Sequence, residues 1–288
     1  MQQRKQLRKL LEAPGLIVAP GAYDALSARL VEQAGFPGVY LTGYGASASI
    51  LGKADVGLLT MTEMLEQVRN MVKAVAIPVI ADADTGYGGI LNVLRTVEEY
   101  EAAGVAGLHL EDQVFPKRCG HMEGKQVVPM SEHVVKLKVA VKARKDANLL
   151  IIARTDARAV NGLADAINRG IAYAEAGADL IFVDAPQSRE ELKIIAREIP
   201  IPVMGNGVEG GKTPFLTIQE WEQLGYKLVI YPVSTLFAAT KAVQQVLHQL
   251  MGLGHTNGMT REMVTFSQFN ELIGLAGELH KGSPDNDR

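Results

Sequence analysis

The sequence has one cysteine, no long apolar run and no surplus of positive charge, and each absence excludes a class of protein. A single cysteine, Cys119, cannot form a disulfide within the chain. No run approaches the roughly 20 apolar residues of a membrane-spanning helix. Lysine and arginine number 29 against 32 aspartate and glutamate residues. Neither a membrane nor the phosphate backbone of a nucleic acid is therefore expected as a partner.

The two ends of the chain carry further expectations. The first residues, MQQRKQLRKLLE, lack the apolar core and cleavage site of a secretory signal. Together with the lone cysteine, this predicts a cytoplasmic protein. Residues 281–288 are polar and contain Gly, Ser, Pro, Asp and Asn, which predicts a disordered tail. Residues 1–280 are expected to form one domain, because α/β barrels of about 250 residues fold as a single unit.

Eight short apolar runs recur along the chain, and longer amphipathic stretches separate them. They are rich in Val, Ile and Leu, as expected for the strands of a parallel sheet that is buried on both faces. The runs cover residues 16–20, 38–43, 78–84, 107–112, 149–155, 180–186, 202–206 and 228–232. Strands that alternate with helices in this way predict right-handed βα units.

A glycine at the end of a helical segment repeats before four of these strands. The segments are EQAG, EAAG, EAGA and EQLG, and glycine in this position adopts a positive φ at little steric cost. An open doubly wound sheet is the alternative architecture, but no G-x-G-x-x-G turn follows the first strand. The repeated units therefore predict an α/β fold of the (β/α)8, or TIM-barrel, type.

Polar side chains follow the apolar runs where strands three to seven end. They are Asp82, Asp84, Glu111, Asp112, Arg154, Asp184 and Asn206. In a barrel the carboxyl ends of all strands face one mouth, where the active sites of such enzymes lie. The sequence therefore predicts one polar site at that mouth.

The segment ADADTGYGG holds two of these carboxylates. Asp82 and Asp84 alternate with alanine, so on a strand both side chains project from the same face. Two such carboxylates repel each other unless a cation lies between them, and oxygen ligands together with water suit Mg²⁺, or Mn²⁺. Glu111, at the neighbouring strand end, completes the predicted metal site. Alternatively, the aspartates cap the next helix or pair with nearby Lys and Arg.

A long polar segment, residues 116–129, contains the only cysteine. Long loops in compact domains are commonly lids over a site. Lys117, Arg118 and His121 flank Cys119, and positive neighbours lower the pKa of a thiol. The chemistry alone favours equally a reactive thiol and a cysteine that lies by chance in a charged run.

Several further residues offer groups that bind a carboxylate. The turn in residues 40–47, YLTGYGAS, presents backbone N–H groups either as an anion-binding nest or as a simple tight turn. Arg154 suits two parallel hydrogen bonds to a carboxylate, or a salt bridge to an acid at the mouth. Asp55 is either a residue of the site or a helix-entry residue. His109, on the same face as Glu111, is either a contact of the site or a core histidine.

The motifs ADADTGYG, HLEDQ, K-x-C-G-H, ARTDA, NGVEGGKTP and YPVS, in this order, resemble those of the isocitrate lyase/phosphoenolpyruvate mutase superfamily. The resemblance runs from about residue 18 to about residue 272. The KRCGH loop is similar to the lyase branch, which includes the 2,3-dimethylmalate lyases, the petal-death-protein type and the methylisocitrate lyases. The gating loop of the phosphonomutases lacks the cysteine.

The resemblance implies a Mg²⁺-dependent carbon–carbon lyase that acts on a small hydroxy-carboxylate. Asp82 would contact the ion, with Asp84 and Glu111 acting through water. Catalytic roles are implied for Cys119, as general acid on a mobile lid, and for Lys117, His121 and Tyr40. Substrate contacts are implied for Thr42, Gly43, Tyr44, Asp55, His109, Gly120, Arg154, Asp184, Asn206, Glu209, Thr213 and Ser234. A homotetramer whose C-terminal helix is exchanged between subunits is also implied.

The resemblance also narrows the substrate. Methylisocitrate lyases carry an arginine shortly after the Pro-x-Ser of the last strand, where it suits a third carboxylate, and Phe237 stands at that place here. A 2-alkylmalate such as 2,3-dimethylmalate is therefore expected, cleaved to a 2-oxo acid such as pyruvate and a second carboxylate. Methylisocitrate is the first alternative, and oxaloacetate hydrolysis or decarboxylation, or phosphonomutase-type chemistry, is the second.

A non-catalytic barrel that binds a carboxylate as a sensor is the alternative from another class. Such a binder would not need the carboxylates of the predicted metal site, the arginine and the cysteine together.

Overall fold

Eight parallel strands close into a barrel in the computed structural model, which describes residues 2–281. The strands are β1 (Ile17–Ala22), β2 (Val39–Leu41), β3 (Val79–Asp82), β4 (Gly107–Glu111), β5 (Leu150–Thr155), β6 (Leu180–Val183), β7 (Val203–Asn206) and β8 (Leu228–Tyr231). Each strand pairs with its neighbours in sequence, and β1 pairs with β8. The predicted (β/α)8 barrel is confirmed.

Five strands (β2, β3, β4, β6 and β8) end earlier than the apolar runs predict, and the endings of β2 and β3 shape the mouth. After β2, the Thr42 side chain accepts a hydrogen bond from the Gly45 backbone at 3.3 Å and starts a helical turn. After β3, the Asp84 backbone donates to the Asp82 carboxylate at 2.9 Å, and Asp84 itself has a φ of +46°. Asp84 therefore lies in a turn, and the strand-alternation argument for its direction was wrong.

The helices of the barrel unit, residues 2–235, fill the gaps between strands. They are α1 (Gln2–Glu12), α2 (Ala25–Gln33), α3 (Gly43–Ala46), α4 (Met61–Ala74), α5 (Ile90–Ala103), α6 (Met130–Ala143), α7 (Ala157–Val160), α8 (Leu163–Glu175), α9 (Arg189–Glu198) and α10 (Ile218–Gln223), and a π-helix (Ser47–Leu51) follows α3. The predicted glycines, Gly35, Gly104, Gly177 and Gly225, all have φ between +85° and +102°. They therefore end the helices before β2, β4, β6 and β8, as the sequence predicts.

Apolar side chains form two layers, one inside the barrel and one between the strands and the helices. The inner layer includes Ile80, Ile152, Phe182 and Ile230. Leu7 of α1 joins it and is fully buried. The inside of the barrel is thus packed, and the cavity for chemistry is confined to the mouth.

Residues 236–281 form a second compact unit. It contains the continuation of α11 (Ser234–Leu253), a 3-10 turn (Asn257–Glu262), α12 (Phe266–Leu272) and α13 (Leu275–Lys281). The single domain of residues 1–280 and the exchange of the C-terminal helix between subunits stay predictions. Of the predicted tail, residues 282–288 lie outside the described part of the chain. None of the helices in residues 2–281 combines the length and apolar character needed to cross a membrane.

Asp112, which the sequence places among the polar residues of the mouth, anchors α8 instead. Its Oδ2 atom accepts hydrogen bonds from the Tyr173 hydroxyl at 2.8 Å and from Arg169 Nη1 at 3.0 Å. The Thr155 hydroxyl donates to the same oxygen at 2.7 Å. Asp112 is fully buried, so its charge is balanced by these donors and not by solvent.

Asp112→Ala is expected to lower the free energy of unfolding by about 3–5 kcal/mol, because it leaves the Arg169 guanidinium buried without this counter-charge. Asp165→Ala is the matched control, since Asp165 pairs with the same arginine at 2.8 Å but has a side chain that is 35% exposed. Its loss is expected to stay below about 1 kcal/mol. Urea denaturation measures both values, and equal losses would contradict this account.

Candidate active site

The carboxyl ends of β4 to β7 place four polar side chains in direct contact at the barrel mouth. Arg154 Nε lies 3.2 Å from Glu111 Oε2, and Arg154 Nη2 lies 3.3 Å from Asp184 Oδ2. The Asn206 amide donates to Asp184 Oδ1 at 3.0 Å. All four residues are buried. The structure therefore brings together residues that are far apart in sequence, at the place the sequence predicts.

A second group of charges surrounds the end of β3. The ammonium of Lys117 lies 2.6 Å from Asp55 Oδ1 and 2.8 Å from Asp84 Oδ1. Asp82 is adjacent, since its Oδ2 accepts from the Gly43 backbone at 3.3 Å and its Oδ1 from the Asp84 backbone at 2.9 Å. Asp55 is thus part of this group, and the helix-entry alternative does not account for its buried ion pair.

Asp82 is ionised near neutral pH despite its burial. Burial opposes its ionisation, but His109, Lys117 and Arg154 together lower the pKa of Asp82 to about 2. Burial also lowers the pKa of His109 to about 4, so this imidazole is neutral near pH 7. The cations of Lys117 and Arg154 are therefore what keeps Asp82 charged there.

The pKa of Asp84 is shifted in the opposite direction, upward. Burial, reinforced by the carboxylates of Asp82 and Asp55, outweighs Lys117 and raises the pKa of Asp84 to about 7. Three carboxylates crowd around one ammonium, so one of them readily takes up a proton. Additional positive charge at this place would favour the ionised form.

The unpartnered carboxylate of Glu111 indicates whether a cation fits this part of the mouth. Neither of its carboxylate oxygens accepts a hydrogen bond, although the residue is only 1% exposed. Arg154 Nε lies near Oε2 but does not make a hydrogen bond to it. Burial raises the pKa of Glu111 well above its usual range. A carboxylate left in this condition, beside Asp82 and Asp84, fits a hard cation that prefers oxygen ligands.

The spacing of these carboxylates also limits how an ion would bind. Within residues 2–281, no three His, Cys, Asp or Glu side chains converge closely enough to enclose an ion by themselves. An ion at this place would complete its shell with water and substrate oxygens, as Mg²⁺ usually does.

Tyr40 and His109 form an uncharged pair beside Asp82. The Tyr40 hydroxyl lies 2.7 Å from His109 Nε2 and 3.4 Å from Asp82 Oδ2. Burial raises the pKa of the Tyr40 phenol well above its usual range. Both groups are therefore neutral at pH 7, and His109 contacts the site while its ring also packs edge-on against Phe182.

Residues 113–129, which we call the lid segment, cross the mouth. An antiparallel bridge between Gln113 and Val127 joins the two ends of the segment. The Cys119 backbone donates to the Asp55 carbonyl at 3.2 Å. At Gly120 the backbone packs so closely on the site that an added Cβ would lie 1.5 Å from Asp184 Oδ2. The lid segment is thus closed over the mouth, and only glycine fits at residue 120.

The flanking positive charges do not lower the pKa of Cys119, contrary to the sequence-based expectation. Burial raises it to about 11, and the hydrogen bond from the His121 backbone offsets only part of this effect. Lys117 is engaged by two carboxylates, and the Arg118 guanidinium donates to the Glu123 carbonyl at 2.9 Å. The thiol therefore stays protonated at neutral pH, as a general acid must.

We expect iodoacetamide to alkylate the protein about tenfold faster for each pH unit between 8 and 10, because only the thiolate reacts. With a pKa of about 11, the thiolate fraction at pH 8 is about 10⁻³. Cys119 is the only cysteine, so mass spectrometry reads its labelling directly. Glutathione serves as the control, and its rate levels off near pH 9. A plateau near pH 9 for the protein would contradict a raised pKa of Cys119.

The remaining predicted residues lie at the start of α3, in the lid segment, at the end of β7 and in the loop after it, and at the start of α11. Thr42, Gly43 and Tyr44 lie at the start of α3, beside Asp82. His121 Nδ1 accepts from the Lys212 backbone at 3.0 Å, which ties the lid segment to the loop after β7.

The loop after β7 also carries unpartnered oxygens. Glu209 Oε1 accepts from the Ser234 hydroxyl, whereas Glu209 Oε2 has no hydrogen-bond partner. The same holds for Asn206 Oδ1 and Thr213 Oγ1, both in buried residues. These three oxygens are available to donors of a ligand or of water.

Asp156 and Lys125 also belong to the site, although the sequence did not predict them. Asp156 holds Arg154 with hydrogen bonds at 3.0 and 3.2 Å, and their spacing of two residues at a strand end was the available signal. Lys125 donates to Asp156 at 2.9 Å. A lysine in a polar loop usually lies in solvent, so no local signal indicates its burial.

Comparison with known proteins gives concordant results. Residues 7–251 match the family model described as phosphoenolpyruvate phosphomutase. The chain is 50% identical to a 2,3-dimethylmalate lyase of Eubacterium barkeri over 96% of this chain and 95% of that one. A crystal structure of 2,3-dimethylmalate lyase superposes with a TM-score of 0.93 at 37% identity, covering 100% of this chain and 98% of that one.

A phosphonopyruvate hydrolase solved with oxalate and Mg²⁺ is also similar, with a TM-score of 0.88 and 32% identity over 97% of this chain and 98% of that one. The family model covers residues 7–251, and the 2,3-dimethylmalate lyase is 50% identical over 96% of the chain, so the family of this chain is established. The chain belongs to the phosphoenolpyruvate mutase/isocitrate lyase superfamily.

Proposed function

We propose that this protein is a Mg²⁺-dependent carbon–carbon lyase that cleaves 2,3-dimethylmalate, or a similar 2-alkylmalate, to pyruvate and a second carboxylate. The observation that carries the proposal is the position of Cys119 on the closed lid segment. A thiol that keeps its proton at neutral pH lies on a closed lid segment whose next residue packs on Arg154 and Asp184. The 50% identity to a 2,3-dimethylmalate lyase supports the choice of substrate.

Asp82 would hold the cation directly, with Asp84 and Glu111 acting through water. When bound, Mg²⁺ lowers the pKa of the substrate hydroxyl and offsets the negative charge of the substrate. Lys117 neutralises part of the charge of Asp84 and Asp55, and the neutral Tyr40–His109 pair adds no net charge to the site.

Arg154 would bind a carboxylate of the substrate, and the residues at the start of α3 would surround the half that becomes the 2-oxo acid. After the substrate hydroxyl gives its proton to a water molecule of the site, the bond between the carbinol carbon and its neighbour breaks. The carbinol carbon becomes the ketone of pyruvate. The electron pair stays on the neighbouring carbon, beside its own carboxylate, and the Cys119 thiol protonates that carbon.

The loop after β7 would contact the second half of the substrate. The unpartnered oxygens of Asn206, Glu209 and Thr213 support this role, together with Ser234, which holds Glu209. Gly120 and His121 would bring the closed lid segment onto this half, and closure would exclude water from the carbanion. The exclusion of a third carboxylate by Phe237, a residue of the second unit, stays a prediction.

The proposal includes a cytoplasmic homotetramer in which the C-terminal helices are exchanged between subunits. Support comes from the second unit, which exposes Leu247, Met251 and Phe266 to 58%, 89% and 84%. Apolar side chains exposed to this degree favour a partner surface.

A side-by-side assay of 2,3-dimethylmalate, 2-methylisocitrate, oxaloacetate and phosphonopyruvate tests the proposal. With Mg²⁺ present, kcat/KM is expected to be highest for 2,3-dimethylmalate, with products followed by NMR. A preference for 2-methylisocitrate would keep the lyase chemistry but replace the substrate. Turnover of phosphonopyruvate alone would overturn the proposal.

A further inference from the structure

Lys125 lies near the end of the lid segment and is buried, with its side chain only 2% exposed. Its ammonium donates to Asp156 Oδ1 at 2.9 Å and to the backbone carbonyl of Gly120. A buried ammonium with two acceptors is fixed in position, because leaving either acceptor would cost it a charge-assisted hydrogen bond.

Asp156 connects Lys125 to the guanidinium of Arg154. Its Oδ2 accepts from Arg154 Nε at 3.0 Å, and its Oδ1 accepts from Arg154 Nη2 at 3.2 Å. The Asp156 backbone in turn donates to Asp112 Oδ1 at 3.0 Å. One oxygen of Asp156 therefore receives hydrogen bonds from both Lys125 and Arg154, on a backbone that is itself anchored.

The second acceptor of Lys125 is the residue next to the thiol. Gly120 follows Cys119 and packs directly on Arg154 and Asp184, since an added Cβ would lie 2.6 Å from Arg154 Nη2. A single ammonium thus holds both the backbone beside the thiol and the carboxylate that orients the arginine.

We propose that Lys125 is a positioning residue that couples closure of the lid segment to the orientation of Arg154. It brings the thiol and the carboxylate-binding guanidinium into place together. Its counterpart on the outside of the lid segment is the ion pair of Lys212 with Glu123, whose carboxylate side chain is 88% exposed. The assignment rests on the proposed function for its catalytic meaning, but its first test does not depend on the substrate.

The first test is the rate at which iodoacetamide labels Cys119 at pH 8. Lys125→Met removes the ammonium and keeps an unbranched side chain only one atom shorter, so the lid segment is expected to open more often and labelling to rise about 10- to 100-fold. Lys125→Arg keeps charge and donors and is expected to stay within about threefold of the wild type. Glu123→Gln, the matched control, breaks the exposed ion pair, and its labelling rate is also expected to stay within about threefold of the wild type.

The free energy of unfolding is measured alongside, so that opening of the lid segment is separated from global unfolding. If Lys125→Met does not fold, Lys125→Gln replaces it and is expected to raise labelling at least about threefold. Labelling at the wild-type rate in a folded Met or Gln variant overturns the proposal. So does labelling of the Arg variant as fast as that of the Met variant.

The second test is kinetic and uses whichever substrate the wild type cleaves. Lys125→Met is expected to lower kcat about 10- to 100-fold, with a smaller rise in KM. The reason is that the thiol and Arg154 are no longer held in their relative positions when the chemistry occurs. A wild type that cleaves none of the four compounds would refute the proposed function, while the labelling rates would still decide the role of Lys125. A rise in KM alone, with kcat unchanged, would contradict the positioning role.

Discussion

Cys119→Ser is expected to lower kcat for 2,3-dimethylmalate by about 10³-fold, within the range that a general acid contributes. Serine keeps the size and hydrogen-bonding capacity of the side chain, but its hydroxyl is a much weaker acid than a thiol. In the proposed mechanism, Arg154 and the carboxylates of the mouth would bind the substrate, and all of them are unchanged in the variant. Binding of oxalate in the presence of Mg²⁺, followed by calorimetry, is therefore expected to stay within a few-fold of the wild type.

Glu123→Gln serves as the control for this variant, because Glu123 belongs to the same lid segment and is exposed. Its kcat is expected to be close to that of the wild type. If Cys119→Ser retained more than a tenth of the wild-type kcat, the role of the thiol as acid would be wrong. If it lost oxalate binding as well, the thiol would act in binding and not in proton transfer.

Asp82→Asn is expected to reduce kcat/KM by at least about 10³-fold, because it removes the carboxylate that would hold the cation directly. The amide oxygen keeps the hydrogen bond from the Asp84 backbone, so the turn after β3 is expected to remain intact. Affinity for Mn²⁺, read by electron paramagnetic resonance, is expected to fall about 100-fold.

The matched control is Asp24→Asn, in which an aspartate that caps α2 receives the same change. Asparagine and aspartate are nearly equivalent at a helix N-terminus, so activity and metal affinity should be unchanged. In parallel, chelation by EDTA should abolish turnover by the wild type, and added Mg²⁺ should restore it. Full activity after chelation would refute the metal site.

The barrel and the make-up of its mouth follow from local signals. Apolar runs mark the eight strands, and glycines mark the helix ends, because both depend on a few consecutive residues. The position of Arg154 or Asp184 at the mouth follows once the strand order is known, since all parallel strands end on one side.

Other features depend on partners that are distant in sequence. Asp112 directly follows Glu111, but its carboxylate accepts hydrogen bonds from Arg169 and Tyr173 of α8. Its structural role therefore cannot be predicted before the packing of α8 is known. Asp84 turns away from the strand path because its backbone binds the carboxylate two residues earlier.

The charge environment of Cys119 is the clearest case of a tertiary effect. Its sequence neighbours are positive, but Asp55 and Asp84, more than 30 residues away, neutralise Lys117. Burial then sets the thiol pKa. The burial of Lys125 likewise follows from Asp156, which lies on a different strand end.

The products formed from 2,3-dimethylmalate in D₂O test the central claim most directly. With Mg²⁺ present, the account predicts equal amounts of pyruvate and propionate by NMR, with one deuterium on carbon 2 of the propionate, where the exchanged thiol delivers its label. The same sample treated with EDTA should show neither product. Absence of pyruvate with Mg²⁺ present, or cleavage that persists unchanged without the ion, would contradict the account.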